Sequence, residues 1–202
     1  MAIKVANNQS LTAITALPAA ITGGAMTLLS TQTASGSSTL SFTSGIDSTY
    51  PVYEFQFINI HPASASRLQF QVDTGTNTSY SQTIQSAFFY AYHSENGSSS
   101  GVGADENRHQ NAGTSLQDLC GENISSGDDD ASLSGTFTLY GPSSGTFVKH
   151  FLARTSIMRS TPQVIDSYCG GYINQTTAIT RVRFRMNSGN IAGGKIKMFG
   201  VA

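Results

Sequence analysis

The stretch Arg181-Val-Arg-Phe-Arg-Met186, with Lys195-Ile-Lys-Met198 eight residues further on, decides the fold. Val182, Phe184 and Met186 share one side of an extended chain, and Arg181, Arg183 and Arg185 share the other. Ile196 and Met198 against Lys195 and Lys197 repeat the pattern. A side-chain period of two belongs to a strand with one buried face, so the segment from Asn187 to Gly194 is expected to be the turn of a hairpin.

The same period recurs upstream. Leu40 and Phe42 alternate with polar neighbours, and Tyr53, Phe55 and Phe57 oppose Glu54 and Gln56. Ile58 and Ile60 then switch parity, which predicts a bulge or a strand buried on both sides, and His61-Pro62 ends the run. Leu68, Phe70 and Val72 against Gln69 and Gln71 predict a half-buried strand paired with the preceding one. Phe88 to Tyr92 reads as an aromatic strand. Gly141-Pro-Ser-Ser-Gly145 separates Phe137 and Leu139 from Phe147 to Leu152, as a hairpin turn would. These segments amount to about eight strands with hardly any helical periodicity, which predicts an all-β fold, an antiparallel two-sheet sandwich of jelly-roll type.

Residues 1–25 sustain no apolar period and are rich in Ala, Thr, Pro and Gly, so they read as an N-terminal arm, with residues 26–202 as the sandwich. Leu11, Ile14, Leu17 and Ile21 are the arm's candidate assembly contacts. Between Ser94 and Asp130 the chain offers Gly, Ser, Asn and acids with few apolar anchors. That predicts a long loop, with one short helix near Ser115 to Cys120, as the place for function.

Apolar residues make up 39% and charged residues 11%, so neutral hydroxyls and amides supply the polar surface. Desolvating such groups costs less than desolvating ions, which suits a protein packed permanently against neighbours. A net charge of -1 provides no field for nucleic acid or an anionic membrane. Nine of twelve acids lie between Asp73 and Asp130, whereas five of eleven bases lie in the last strands, an asymmetry that a neighbour contact could use. No stretch reaches the ~18 apolar residues of a membrane span, and the start lacks a signal peptide's pattern, which predicts synthesis in the cytoplasm and no membrane insertion. Cys120 and Cys169 are too few for a disulfide framework or a Cys-based zinc site and are expected to be free, partly buried thiols. The Asn-x-Ser/Thr triplets at Asn8, Asn77, Asn96, Asn123 and Asn174 are the chance product of a Ser- and Thr-rich chain.

Motifs that could carry chemistry lack their context. Gly97-Ser-Ser-Ser-Gly101 and Gly141-Pro-Ser-Ser-Gly145 match G-x-S-x-G, but a nucleophile elbow needs a strand before and a helix after, and these sit in a Ser-rich loop and a turn. Gly189-Asn-Ile-Ala-Gly-Gly194-Lys195 imitates a phosphate loop, yet Ile196 stands where Ser or Thr should. His61, His93, His109 and His150 have no zinc spacing. Asp105, Glu106 and His109, and Asp128 to Asp130, could hold Ca²⁺, but a solvated acidic turn is the preferred reading. The expectation is therefore no catalytic residue, no metal and no cofactor. Arg181, Arg183 and Arg185 are candidate contacts to phosphate, an acidic glycan or a neighbouring subunit. Tyr90 and Tyr92 are candidate ligand contacts, with a core role preferred for both.

Several blocks carry a resemblance: Leu28-Leu-Ser-Thr-Gln-Thr-Ala34, Leu40-Ser-Phe-Thr-Ser-Gly-Ile-Asp-Ser-Thr-Tyr50, Phe57-Ile-Asn-Ile-His-Pro62, Ala91-Tyr-His93, Val148-Lys-His-Phe151, Ser188-Gly-Asn-Ile191 and Lys195-Ile-Lys-Met-Phe-Gly200. On them the chain resembles small virion structural proteins of tailed phages that infect marine and cyanobacterial hosts. The resemblance implies a non-enzymatic virion component of tail-fibre, baseplate-associated or capsid-decorating type, and it transfers no functional residue. The expected partners are the chain itself, as a homotrimer, and other virion proteins. The alternative is a carbohydrate-binding module that recognises a host-surface glycan through Tyr90, Tyr92 and the Ser94–Asp130 loop.

Overall fold

The computed structural model describes residues 25–159 and 161–202, in which alternating apolar residues form twelve strands and no α-helix. In chain order these are β1 (Met26–Thr33), β2 (Leu40–Phe42), β3 (Val52–Pro62), β4 (Leu68–Thr74), β5 (Ile84–Ser94), β6 (Ser100–Ala104), β7 (Gln117–Asp118), β8 (Leu133–Tyr140), β9 (Lys149–Arg159), β10 (Gln163–Ile173), β11 (Ile179–Met186) and β12 (Ile191–Val201). Among the described residues the one 3-10 turn, Glu106–Arg108, is capped by the Asp105 carboxylate. The proposed arm contacts Leu11, Ile14, Leu17 and Ile21 lie outside the described residues.

The strands form an all-β sandwich of two antiparallel sheets. Eight pair in the order β1-β12-β3-β8-β9-β10-β5-β6, and four in the order β2-β11-β4-β7. Inward phenylalanines from the two sheets interlock. Phe70 of β4 lies 4.4 Å from Phe137 of β8 and 4.9 Å from Phe151 of β9, and Phe184 of β11 lies 5.1 Å from Phe57 and 5.4 Å from Phe55 of β3. Most of these contacts are edge-to-face or tilted, the arrangement that the ring quadrupole favours over direct stacking.

Strand alternation is as the sequence predicts, but pairing is not. β11 and β12 are not a hairpin: β11 pairs with β2 and β4, whereas β12 pairs with β1 and β3 in the other sheet. Nor does β4 pair with β3. Both short turns, 63–67 and 187–190, carry the chain across from one sheet to the other. The second face of β4 is buried as well, because the segments 76–83 and 110–118 lie over it, leaving Gln71 and Asp73 with no exposed surface. The expected helix near Ser115 to Cys120 is instead the short strand β7, which pairs with β4 at the sheet's edge. β10 is a strand that the sequence reading did not identify.

The parity switch after Phe57 is a bulge. Asn59 adopts φ +49, Ile58 turns outward and Ile60 inward, and β12 bulges opposite it. Gly194 stands there with φ +106, where any Cβ would run into the Asn59 carbonyl, so the bulge requires glycine.

Among the described residues every buried side-chain nitrogen and oxygen has a hydrogen-bond partner. Lys149 has no exposed surface, and its Nζ donates to the carbonyls of Ser144 (2.6 Å), Phe147 (3.1 Å), Gln175 (2.9 Å) and Thr176 (2.8 Å), tying two turns together. Burial pulls its pKa below the ordinary lysine value. Asp118 accepts from Arg67 Nε (3.0 Å) and Gln69 Nε2 (2.7 Å), with Arg108 Nη1 at 3.5 Å, and so fastens the segment after the 3-10 turn to β4. Cys120 and Cys169 are free and fully rather than partly buried, and burial pushes both thiols up to about 12.

Candidate functional site

Tyr90 and Tyr92 lie two residues apart on β5, on the inner side of the large sheet. Their cross-strand partners on β6 are Gly103 and Gly101, and a Cβ on either glycine would come within 3.2 Å of the facing ring. The rings therefore lie across a bare strand backbone, a cross-strand arrangement in which an aromatic side chain covers an edge glycine. The ring centroids are 6.3 Å apart and the planes inclined by 40°.

Beside the rings, the residues flanking the β9–β10 turn and the loop after β7 complete a pocket of about 310 Å³. It is lined by Tyr90, Tyr92, Ser99, Glu122, Arg159, Gln163 and Ile165. Ile165 is the buried floor, registered against Tyr92. Arg159 Nη1 donates to Gln163 Oε1 (3.3 Å), and Gln163 Nε2 donates to Ser94 Oγ (3.1 Å). Arg159 Nη2 is 3.9 Å from Glu122 Oε2, both side chains being more than a third exposed, so the two charges are loosely paired. The two tyrosines are half-buried and pack against the core, the role the sequence reading preferred, so the accessible lining of the pocket is mostly the polar amide, carboxylate and guanidinium groups of its rim.

Two of these lining residues, Ser99 and Glu122, come from the Ser94–Asp130 segment. The rest of that segment is mostly structural. Leu119, Cys120 and Ile124 are buried, Gly121 N donates to Ser167 Oγ (3.0 Å), and Thr155 Oγ1 donates to the Leu119 carbonyl. The segment closes this side of the sandwich over β5 and β10. Asp105 is taken up by Asn107 N (3.0 Å) and Arg108 Nε (3.3 Å), Asp128 accepts from Ser125 Oγ (3.2 Å), and His109 faces the Phe88 carbonyl. Among the described residues no three His, Cys, Asp or Glu side chains converge on a metal-sized space. Both G-x-S-x-G segments fall at turns between antiparallel strands, β5 to β6 and β8 to β9.

The arginine stripe lies elsewhere, on the outer side of the small sheet. Arg183 covers the Tyr80 ring at 3.7 Å, Arg181 Nε donates to the Gly75 carbonyl (2.9 Å), and Arg185 Nε donates to the Met186 carbonyl (3.0 Å). Arg181 is registered opposite Asp73, but that carboxylate is turned into the following loop. Among the described residues none of the three arginines pairs with an acid.

A further surface went unseen in the sequence: the outer face of the eight-stranded sheet. Of the nine large apolar side chains exposed among the described residues, eight project from it, Phe147 in the β8–β9 turn being the exception. Leu152 (56% exposed), Phe89 (48%) and Tyr140 line a hollow of about 410 Å³ whose floor is opened by Gly170. Phe89 and Tyr168 stack in parallel at 4.8 Å, and Arg154 covers Tyr168 while pairing with Asp166 through two hydrogen bonds of 2.8 and 3.2 Å. The Asp166 carboxylate holds the Arg154 pKa above the ordinary arginine value. The signal for this face was the alternation of β10, obscured by Asp166, Ser167 and the pair Gly170-Gly171.

Compared with protein-family models, curated proteins and solved structures, the chain matches none.

Proposed function

We propose that the chain is a non-enzymatic structural component of a tailed-phage particle, which works by packing against copies of itself and other virion proteins. The observation that carries this reading is the concentration of exposed apolar side chains on a single sheet face. Isolated surface hydrophobics are ordinary, whereas eight of nine on one broad face, interspersed with the Arg154–Asp166 pair, suit an association surface of mixed character. Eight strands span about 34 Å at ~4.8 Å per spacing, and strands of about ten residues are roughly 30 Å long, giving on the order of 1,000 Å². That exceeds the ~800 Å² per partner of a standard stable interface. We commit the face to a neighbouring copy of this chain in a homotrimer, where it meets a different patch of that copy, with residues 1–25 as an additional anchor.

Two features support the reading. The order β1-β12-β3-β8 against β2-β11-β4-β7 supports a jelly-roll reading in which β5, β6, β9 and β10 are additions to one sheet. The sequence blocks that resemble tailed-phage virion proteins fall on β1, β2 and the turn after it, β3, β5, the start of β9, and β12.

Sedimentation velocity of the full chain tests it. The wild type should run as a trimer, and Phe89→Glu with Leu152→Glu, both exposed and so tolerated by the fold, should run as a monomer with an unchanged melting temperature. A monomeric wild type at high micromolar concentration, or a variant that still forms the trimer, would remove the proposed interface. Deleting residues 1–25 should leave a folded protein that fails to enter particles.

A further inference from the structure

We infer that Phe147 of one copy seats in the hollow between Phe89, Tyr140 and Leu152 of the next, so that three identical knob-into-hollow contacts close the homotrimer. The inference rests on the association reading above and names the patch that the sheet face meets. A closed ring of three needs two different, complementary surfaces on every copy, because each face meets something other than itself. The large exposed apolar side chains among the described residues divide accordingly, eight on the sheet face and Phe147 alone off it, at 73% exposed.

The turn that carries Phe147 holds it outward. Thr146 N and Phe147 N both donate to Ser144 Oγ (3.2 and 2.9 Å). Lys149 Nζ donates to the Phe147 carbonyl (3.1 Å) and the Ser144 carbonyl (2.6 Å). Both backbone polar groups of Phe147 are thus engaged within the turn, and its phenyl ring is left in solvent. Since Lys149 also holds the carbonyls of Gln175 and Thr176, the turn is tied to its neighbour and presents the ring without the ordering cost of a slack loop.

The hollow is the complement. Its space of about 410 Å³ is open because Gly170 has no side chain, a Cβ there standing 3.0 Å from Leu152 Cδ2. Ala87 and Thr138 contribute only small side chains, and Phe89, Tyr140, Leu152 and Tyr168 form apolar walls. A phenyl ring suits such a cup, and aromatic walls add the edge-to-face attraction of ring quadrupoles. Arg154, the one charge in the lining, is already paired with Asp166, which disfavours an anionic occupant. Phe147 does not line the hollow of its own chain, so the contact joins two copies.

Sedimentation velocity of the full chain at high micromolar concentration tests the contact with two variants at exposed positions. Phe147→Ser removes the knob and leaves the sheet face whole. Ala87→Trp plugs the hollow while adding apolar surface, so an unspecific apolar contact would be kept or strengthened by it. Each should weaken the contact at least about thirtyfold, the effect of losing one central aromatic anchor, and run as a monomer. Their melting temperatures should equal the wild type's at dilutions where all are monomeric. An equimolar mixture of the two should form a heterodimer and no trimer, because the Ala87→Trp copy keeps its knob and the Phe147→Ser copy its hollow. If Phe89→Glu with Leu152→Glu abolishes the trimer but Phe147→Ser or Ala87→Trp retains it, another patch meets the face, and the inference falls while the association reading stands. A monomeric wild type removes both. A mixture that stays monomeric would also overturn the inference, for the variants would then have lost association through damage and not through loss of complementary halves.

Discussion

Asp73 shows how a charge can be buried without a counter-ion. Its carboxylate accepts from Tyr80 N (2.8 Å), Thr74 N (2.9 Å), Gln82 Nε2 (3.0 Å) and Ser79 Oγ (3.2 Å), and so organises the turn that covers β4. Burial by itself would raise its pKa, but the donors outweigh it and hold the group below the ordinary carboxylate value. A carboxylate with a depressed folded-state pKa stabilises the fold above its unfolded pKa of about 3.9, and that contribution is lost as pH falls through the lower, folded value. Urea denaturation between pH 7 and pH 2 should show wild-type stability declining below about pH 4. Asp73→Asn should cost about 2–3 kcal/mol at pH 7, since an amide turns a donor toward N–H groups that need an acceptor, and its profile should be flatter in acid. Equal slopes for the two proteins would mean that other acids set the acid limit. Lys149 is the cationic counterpart. Its burial was legible in part, because the alternation that puts Phe151 and Ala153 inward puts Lys149 inward too. Its four carbonyl partners were not legible, since they come from turns that only the folded chain brings together.

At the scale of elements, alternation told which side chains are buried but not in which sheet a strand lies. Val182, Phe184 and Met186 point inward whether β11 pairs with β12 or faces it across the core, and a turn of four or five residues serves either geometry. The parity switch at Ile58 and Ile60 was more informative, because an inserted residue leaves a fixed mark on period two. The opposing bulges at Asn59 and Gly194 pin the β3–β12 register. Gly194→Ala should lower stability by about 2 kcal/mol and the melting temperature by ~4–8 °C, through its left-handed φ and the clash with the Asn59 carbonyl. Gly193→Ala is the control, for its added methyl meets nothing within 4 Å, and its cost should stay under about 1 kcal/mol. Equal melting temperatures for the two variants, read by calorimetry, would show that the bulge can relax around a side chain.

Across the whole molecule the sheets are unequal, eight strands against four, and the excess determines where rigidity and exposure fall. β3, β8 and β12 are each paired on both sides and carry Phe55, Phe57, Phe137 and Met198 into the shared core. β6 is paired only with β5, and its inward positions are glycines, so its hold on the fold is one ladder of hydrogen bonds and the two tyrosine rings. Local opening free energies follow such differences in pairing and burial. Hydrogen–deuterium exchange should therefore find the amides of β6 and of the 95–99 turn exchanging first, and those of β3, β8 and β12 last, by several orders of magnitude. The same comparison on Tyr90→Ala should speed exchange in β6 far more than in β12, because removing the ring uncovers Gly103 and opens only the Phe88 end of the core, away from the Phe55, Phe57 and Met198 that β3 and β12 supply. Were β6 as slow as β12, the rim would be buttressed by more than its one neighbour. Were β12 to accelerate as much as β6 in Tyr90→Ala, the rings would be part of the main core and not of a separately built rim.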